Sequence, residues 1–140
     1  MLLDEDHRAV QDAVRAYVQD RIAPQAAAWD KTAHFPAAEL KGLAELGCYG
    51  VAVPPEHGGA GLDYLALAVI LEEIAAGDGA TSTVVSVNNC PVCSILMAWG
   101  SDAQKKALLP RLAQKSVGAY ALSEAGSGSD AFALTTRATE

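Results

Sequence analysis

The chain has 140 residues, a formal charge of −7 and 51% hydrophobic residues. That length fits one ordinary domain, or one domain with part of a second, and it buries a real core. The acidic balance, with a pI near 4.8 and Lys105-Lys106 as the only close basic pair, excludes a nucleic-acid surface, which needs clustered Lys and Arg. Alanine fills 28 positions while aromatics make up only 6%, so the composition leans helical and the hydrophobic fraction overstates core volume. Met1-Leu2-Leu3-Asp4-Glu5-Asp6 runs directly into acidic residues, so no signal or transit leader is expected. Three cysteines in that setting point to reduced thiols in a cytosol-like compartment.

A first helix is expected from about Asp4 to Ile22. Leu3, His7, Val10, Val14, Tyr17, Val18 and Ile22 recur at three- and four-residue steps and share one face. Pro24 ends or kinks it, and Gln25 to Trp29 continue the helical text. A second helix opens at Pro36, with Leu40, Leu43, Ala44 and Leu46 as its apolar stripe and Gly47 as its stop. Val51 to Gly61 is a turn-rich loop. Asp63 caps a third helix whose buried face is Leu67, Ala68, Leu71, Ile74 and Ala75, closed by Gly77 and Gly79.

Ala80 to Trp99 reads as a nearly all-buried fourth helix, kinked at Pro91; its Thr, Ser, Asn and Pro content argues against a membrane span. Ser101-Asp-Ala-Gln104 matches a capping box that opens a fifth helix ending near Ala113. Antiparallel helices joined by short loops make a bundle. After Ser116 the texture changes: Val117 to Ser123 and Leu134 to Ala138 look like strands, with a small-residue loop from Glu124 to Asp130 between them. Two strands without partners are marginal, so this reads as a β domain that has only begun.

The loop and its approach, Tyr120-Ala-Leu-Ser-Glu-Ala-Gly-Ser-Gly-Ser-Asp130, carry the strongest chemical signal. Small residues let backbone N–H groups converge on an anion, with serine hydroxyls as further donors. No Lys follows the glycines, and the Gly-x-Gly-x-x-Gly spacing fails, so neither a Walker loop nor a dinucleotide fingerprint is present. A plain surface turn and a phosphate cradle both remain open on the residues alone. Glu124 and Asp130 are read as carboxylates that serve nearby backbone donors, not as catalysts.

Cys90-Pro-Val-Cys93 is a competing signal. Such a pair supports disulfide exchange, or half a zinc site completed by Cys48 and one of His7, His34 or His57. It falls inside a buried helix instead of a βαβ context, which favours inert buried thiols, and no metal site is assigned. His57 is read as a polar turn residue, His7 as a packed core-edge residue, Trp29 and Trp99 as core or interface packing, and the acidic helix faces as solvated surface.

In order, Ala121-Leu-Ser-Glu124, then Ser127-Gly-Ser-Asp130 followed by Ala133, closely resembles the first signature of the acyl-CoA dehydrogenase family. Leu46-Gly-Cys-Tyr-Gly-Val-Ala-Val-Pro54, His57-Gly-Gly-Ala-Gly-Leu-Asp63, Leu71-Glu-Glu73 and Gly100-Ser-Asp-Ala-Gln-Lys105 agree in sequence order, so the resemblance covers essentially the whole chain. Cys90 to Cys93 depart from the family's commoner Asn-Ser-Leu-like text after Asn89, so the resemblance does not fix the local shape of any acyl pocket there.

The resemblance implies a mainly α fold: residues 1–116 as the N-terminal helical domain and 117–140 as the start of the middle β domain, the parent fold being α plus β-barrel. It implies FAD along Tyr120, Ala121, Leu122, Ser123, Glu124, Ala125, Gly126, Ser127, Gly128 and Ser129. Leu122 and Ser123 would address the pyrimidine edge of the flavin, Gly128 and Ser129 the pyrophosphate, and Ser129 also the CoA part of the substrate.

The implied reaction is α,β-dehydrogenation of an acyl-CoA, closest in look to short- and branched-chain members, in fatty-acid or amino-acid catabolism. Electron-transfer flavoprotein is the implied acceptor, and a homo-oligomer, dimer or tetramer, the implied assembly. The cytoplasm is the implied location, or the mitochondrial matrix once a transit peptide is removed. The family's catalytic base belongs to a C-terminal helical domain and has no counterpart here, so no catalytic residue is assigned. The chain alone is expected to bind FAD weakly or not at all and not to turn over. The alternatives are a thiol-redox or zinc module built on Cys90 and Cys93, and a noncatalytic helical binding domain.

Overall fold

The computed structural model describes residues 3–139; the outermost residues of the two expected units, 1–2 and 140, lie outside them. Helix α1 spans Glu5–Tyr17 and runs on through Val18–Ile22 with wider hydrogen-bonded turns, Ala23 N–H reaching the Val18 carbonyl at 2.9 Å. The ladder stops before Pro24, which has no N–H to offer. Short α2, Ala26–Thr32, follows and ends on Ala33 at φ 51°.

Helix α3, Ala37–Glu45, starts one residue later than the sequence suggests, with Pro36 just outside it. Gly47 stops it in the left-handed region at φ 81°, where a Cβ would be strained. Leu40, Leu43 and Ala44 are buried as expected, whereas Leu46 lies beyond the last turn and is 46% exposed.

The Gly50–Leu62 loop folds back on itself through Ala60 N–H to Gly50 O at 2.9 Å and Leu62 N–H to Val51 O at 2.8 Å. A Cβ at Gly59 would overlap the Val53 carbonyl, so the close approach of the two arms of this loop requires glycine there.

Helix α4, Tyr64–Gly77, is capped by Asp63, whose carboxylate accepts the Ala66 N–H at 2.8 Å. Its buried face is Ala66, Leu67, Val69, Ile70, Glu73 and Ile74; Ala68 and Ala75, expected inside, face solvent. Methyl side chains carry too little apolar area to fix a helix's rotation against the larger Val69 and Ile70. Gly79 does not close α4 but begins α5, Gly79–Val87, which Asp78 caps.

The expected fourth helix is split. After α5 the backbone leaves the helical region at Cys90 (φ −133°, ψ 111°) ahead of a cis bond to Pro91, and resumes as α6, Ser94–Trp99. It is also less buried than the text suggests: α6 has no buried residue, and Trp99 is 86% exposed. Trp29, by contrast, packs against the core as expected.

Helix α7, Asp102–Gln114, opens with the reciprocal capping box: Gln104 N–H to Ser101 Oγ at 3.3 Å and Ser101 N–H to Gln104 Oε1 at 2.8 Å. The principal core joins Val14, Val18 and Ile22 to Leu40, Leu43, Tyr49, Ile70, Ile74 and Val85; a second cluster holds Val53, Cys93 and Leu109. Each such side chain contributes about 1.5–3 kcal/mol on burial.

Two polar ties fix α1 on α4. Glu73, expected on a solvated acidic face, is buried and accepts from Gln11 Nε2 at 2.8 Å and from Arg15 Nε and Nη2 at 2.9 and 2.6 Å. His7, at the core edge as expected, places Nδ1 2.5 Å from Asp4 and Nε2 3.0 Å from Asp63, the caps of α1 and α4.

Among the described residues no strand pairs along Val117–Ser123 or Leu134–Ala138; the one β-type contact is the turn bridge between Glu124 and Ser127. Strand hydrogen bonds need a neighbouring strand, and the described residues supply none. No helix there is long and apolar enough to cross a membrane.

Candidate functional site

Two buried asparagines set the way out of the helical part. Asn89 accepts the Val51 N–H at 2.9 Å and donates to Cys48 O and Val85 O at 2.8 and 2.9 Å. Asn88, with no exposed surface, donates to Tyr49 O at 2.8 Å and Leu112 O at 3.0 Å, and its Oδ1 accepts the Gly118 N–H at 2.7 Å. The chain leaving α7 is therefore pinned to the kink between α5 and α6. A Cβ at Gly118 would sit 2.6 Å from Val92 Cγ1, so this contact too is glycine-dependent.

Beyond that anchor, Tyr120 and Leu122 are 47% and 38% exposed, and Ala121 and Ser123 face solvent. The loop then closes on itself. Glu124 and Ser127 exchange backbone hydrogen bonds at 3.0 and 3.1 Å, and Ser127, buried at 3% exposure, donates its hydroxyl to Asp130 O at 2.6 Å.

The Glu124 carboxylate accepts from Thr135 N–H at 2.8 Å, Thr135 Oγ1 at 3.0 Å and Thr136 N–H at 3.0 Å. These donors, Thr136 and Thr135, hold its carboxyl down at about 2; as a carboxylate the residue ties the two ends of the loop. Asp130 accepts the Phe132 N–H at 3.1 Å and caps the short 3-10 turn Ala131–Ala133. Both carboxylates thus do the backbone work read for them, although Asp130 is exposed and Glu124 only half-buried.

Inside this closed loop, Ala125, Gly126, Gly128 and Ser129 are exposed. The N–H groups of Gly126, Gly128 and Ser129 find no acceptor among the described residues. No atom lies within 4 Å of where a Cβ would stand on Gly126 or Gly128. The chain's own packing therefore does not demand glycine at either position, unlike Gly59 and Gly118. Bare donors over open space suit the close approach of an oxygen-rich anionic group such as a diphosphate.

A second feature showed in the sequence only as the acyl pocket whose shape the resemblance ties to Cys90 to Cys93. An apolar cleft of about 360 Å³ lies between α4, the kink and α6, lined among others by Val53, Leu67, Cys90, Cys93 and Met97. No carboxylate lines it among the described residues. The signal that could have pointed there is the Asn88-Asn89 pair in otherwise apolar text, because adjacent amides in a buried segment need several partners and so bend the surrounding backbone around them.

Burial pushes the Cys48 thiol up to about 12 and the Cys93 thiol up to about 11. That is opposite to the shift an initiating thiolate needs, so neither Cys48 nor Cys93 is the thiol that would start an exchange. Among the described residues no three His, Cys, Asp or Glu side chains cluster to hold a metal ion, and Cys48 shares no cleft with Cys90 and Cys93. His57 sits in the Pro55–His57 turn, its Nδ1 buried without a partner among the described residues.

Comparison with known proteins agrees with this architecture. The family model for the acyl-CoA dehydrogenase N-terminal domain matches residues 4–116. The mitochondrial short-chain specific acyl-CoA dehydrogenase of Homo sapiens is 42% identical over 137 residues, 97% of this chain and 33% of that protein. Glutaryl-CoA dehydrogenase from Mycobacterium smegmatis superposes with a TM-score of 0.89 at 35% identity, over 97% of this chain and 35% of that one. An acyl-CoA dehydrogenase complexed with FAD from Bacillus anthracis gives a TM-score of 0.81 at 29% identity, over 94% and 23%. The chain spans about a third of the length of the curated relatives it matches.

Proposed function

Because this chain belongs to the acyl-CoA dehydrogenase family, we propose that it forms the helical part, residues 1–116, and the flavin-facing opening of the β domain, residues 117–140, of a flavin-dependent acyl-CoA dehydrogenase. The observation that carries this reading is the loop closed by Glu124, with the N–H groups of Gly126, Gly128 and Ser129 without an acceptor among the described residues and the space above both glycines open. The FAD complex of the Bacillus anthracis relative supports flavin as the ligand.

In this reading Gly128 and Ser129 hold the pyrophosphate, while Leu122 and Ser123, exposed on the approach to the loop, meet the pyrimidine edge of the flavin. Ser129 also faces the CoA part of the substrate. Bound FAD would supply hydride acceptance from the β carbon of the thioester. The chain's own contribution is to position: Asn88 fixes where the approach begins, and Glu124 fixes where the loop closes. The apolar cleft lined by Leu67, Cys93 and Met97 would exclude water from an acyl chain. Short or branched acyl groups are the proposed substrates, in keeping with the human relative's short-chain specificity.

No carboxylate lines the cleft among the described residues, so the base that removes the α proton is proposed to come from polypeptide outside them. The segments 117–123 and 134–138 are proposed to pair as strands once neighbouring strands are supplied. Exposed Trp99, Ile95 and Phe132 support burial against further polypeptide, in the same subunit or in a dimer or tetramer. Electron-transfer flavoprotein is the proposed acceptor, and the cytoplasm, or a mitochondrial matrix, the proposed setting. The test is flavin binding, with and without the rest of a family-length polypeptide. Retention of FAD only in the completed protein, and its loss on substitution of Gly128, is the expected pattern.

A further inference from the structure

The kink that breaks the fourth helix leaves two thiols on one cleft. Cys90 stands where the backbone is extended and is half-buried, whereas Cys93, three residues on, is buried at 2% exposure with Sγ 4.0 Å from Tyr49 O. Both line the same cavity. Cys48, the third thiol, is fully buried in the principal core and does not line that cleft. One thiol is reachable, one is sheltered beside it, and one is out of reach.

We propose that Cys90 and Cys93 form a peroxide-sensitive dithiol in the cleft wall, Cys90 being the site of attack and Cys93 the resolving thiol. Hydrogen peroxide is the oxidant. The Cys90 sulfur attacks one peroxide oxygen, the O–O bond breaks, and Cys90 becomes a sulfenic acid with release of one water. The Cys93 sulfur then attacks the Cys90 sulfur; the S–S bond forms, the S–O bond breaks, and hydroxide leaves with the Cys93 proton as a second water. In sum one peroxide is reduced to two waters and two thiols are oxidised to a disulfide.

Burial, and then the neighbouring Cys90, push the Cys93 thiol up to about 11. It therefore waits as a protonated resolving partner and does not compete for the first step. Closing the disulfide redraws the wall of the apolar cleft, whatever that cleft binds. The proposal stands apart from the flavin reading, since it needs no cofactor.

The test is peroxide titration of the reduced, native chain, followed by denaturation, thiol counting and non-reducing peptide mapping. The expected result is loss of two of the three thiols, with the disulfide mapped to Cys90 and Cys93, Cys48 still free, and full recovery with dithiothreitol. In a Cys93→Ser variant, Cys90 should stop at a sulfenic acid that dimedone traps. Survival of all three thiols would overturn the proposal. So would oxidation of Cys48 first, or accumulation of over-oxidised Cys90 in the wild-type chain while Cys93 stays reduced.

Discussion

The Oδ1 of Asn88 accepts the Gly118 N–H at 2.7 Å, while the same side chain's amide bridges Tyr49 O and Leu112 O. One fully buried residue thereby joins the turn after α3, the end of α7 and the start of the loop segment. Replacing it with Ala leaves two carbonyls and one N–H unpaired in a desolvated setting, a loss of about 3 kcal/mol. Urea unfolding of Asn88→Ala should show that loss, with faster amide exchange at Gly118. A stability within 0.5 kcal/mol of the parent, on the order of an ordinary surface substitution, would remove Asn88 from this role.

His7 presents both ring nitrogens to carboxylate oxygens of Asp4 and Asp63. Carboxylates only accept, so both contacts are hydrogen bonds only when the ring is doubly protonated. The bond to Asp63, and then that to Asp4, raise its pKa above 6.5, while Asp4 and Asp63 are held below 3.8. The His7 contribution is therefore complete below pH 6.5 and is lost as pH rises through the raised value. The aspartate contributions are complete above pH 3.8 and are lost on acidification. Thermal unfolding from pH 4 to 9 should show a decline on the alkaline side that a His7→Leu variant lacks; parallel profiles would contradict the bridge.

Glu73 takes the Arg15 guanidinium on both oxygens and Gln11 on one of them. A double-mutant cycle between Arg15→Met and Glu73→Gln should give a coupling of about 1–3 kcal/mol. Arg15 lowers the Glu73 carboxyl below 4.5, so the coupling is present above pH 4.5 and fades as pH falls through the lowered value. Coupling near zero at pH 7 would mean that the pair is ornamental.

Gly126 and Gly128 have open space where a Cβ would go. Gly128→Ala should leave the melting temperature of this chain unchanged or slightly raised, since Ala restricts the unfolded state. Gly118→Ala, against Val92, should lower it. Equal destabilisation by both would mean that Gly128 serves the chain's own packing.

Local chemistry made much of this fold legible. Asp63 and Ser101 with Gln104 announce helix starts because a cap needs only residues three positions away. The same locality exposed the loop from Glu124 to Asp130 and the backbone duty of Asp130, two residues from its partner, whereas Glu124 reaches Thr135 and Thr136, eleven and twelve residues on. What stayed hidden is long-range. His7 meets Asp63 and Arg15 meets Glu73 across more than fifty residues, so an apparently solvated carboxylate proved to be buried. Ala68 and Ala75 read as inside positions because small apolar residues fit either face of a helix. The cleft beside Cys90 arises only when the kink folds against α4, and strands over 117–123 need partners that the described residues do not supply.

In the proposed function, residues 120–129 contact flavin as part of a larger site. The direct measurement is fluorescence titration of FAD into this chain alone, and into the chain fused to the remaining two thirds of a relative such as the Mycobacterium smegmatis glutaryl-CoA dehydrogenase. The expected results are weak or no binding alone, retained flavin in the fusion, and at least tenfold weaker binding, about 1.4 kcal/mol, when Gly128→Leu is introduced there. Tight FAD binding by the chain alone, or a fusion whose affinity ignores Gly128→Leu, would contradict that contact.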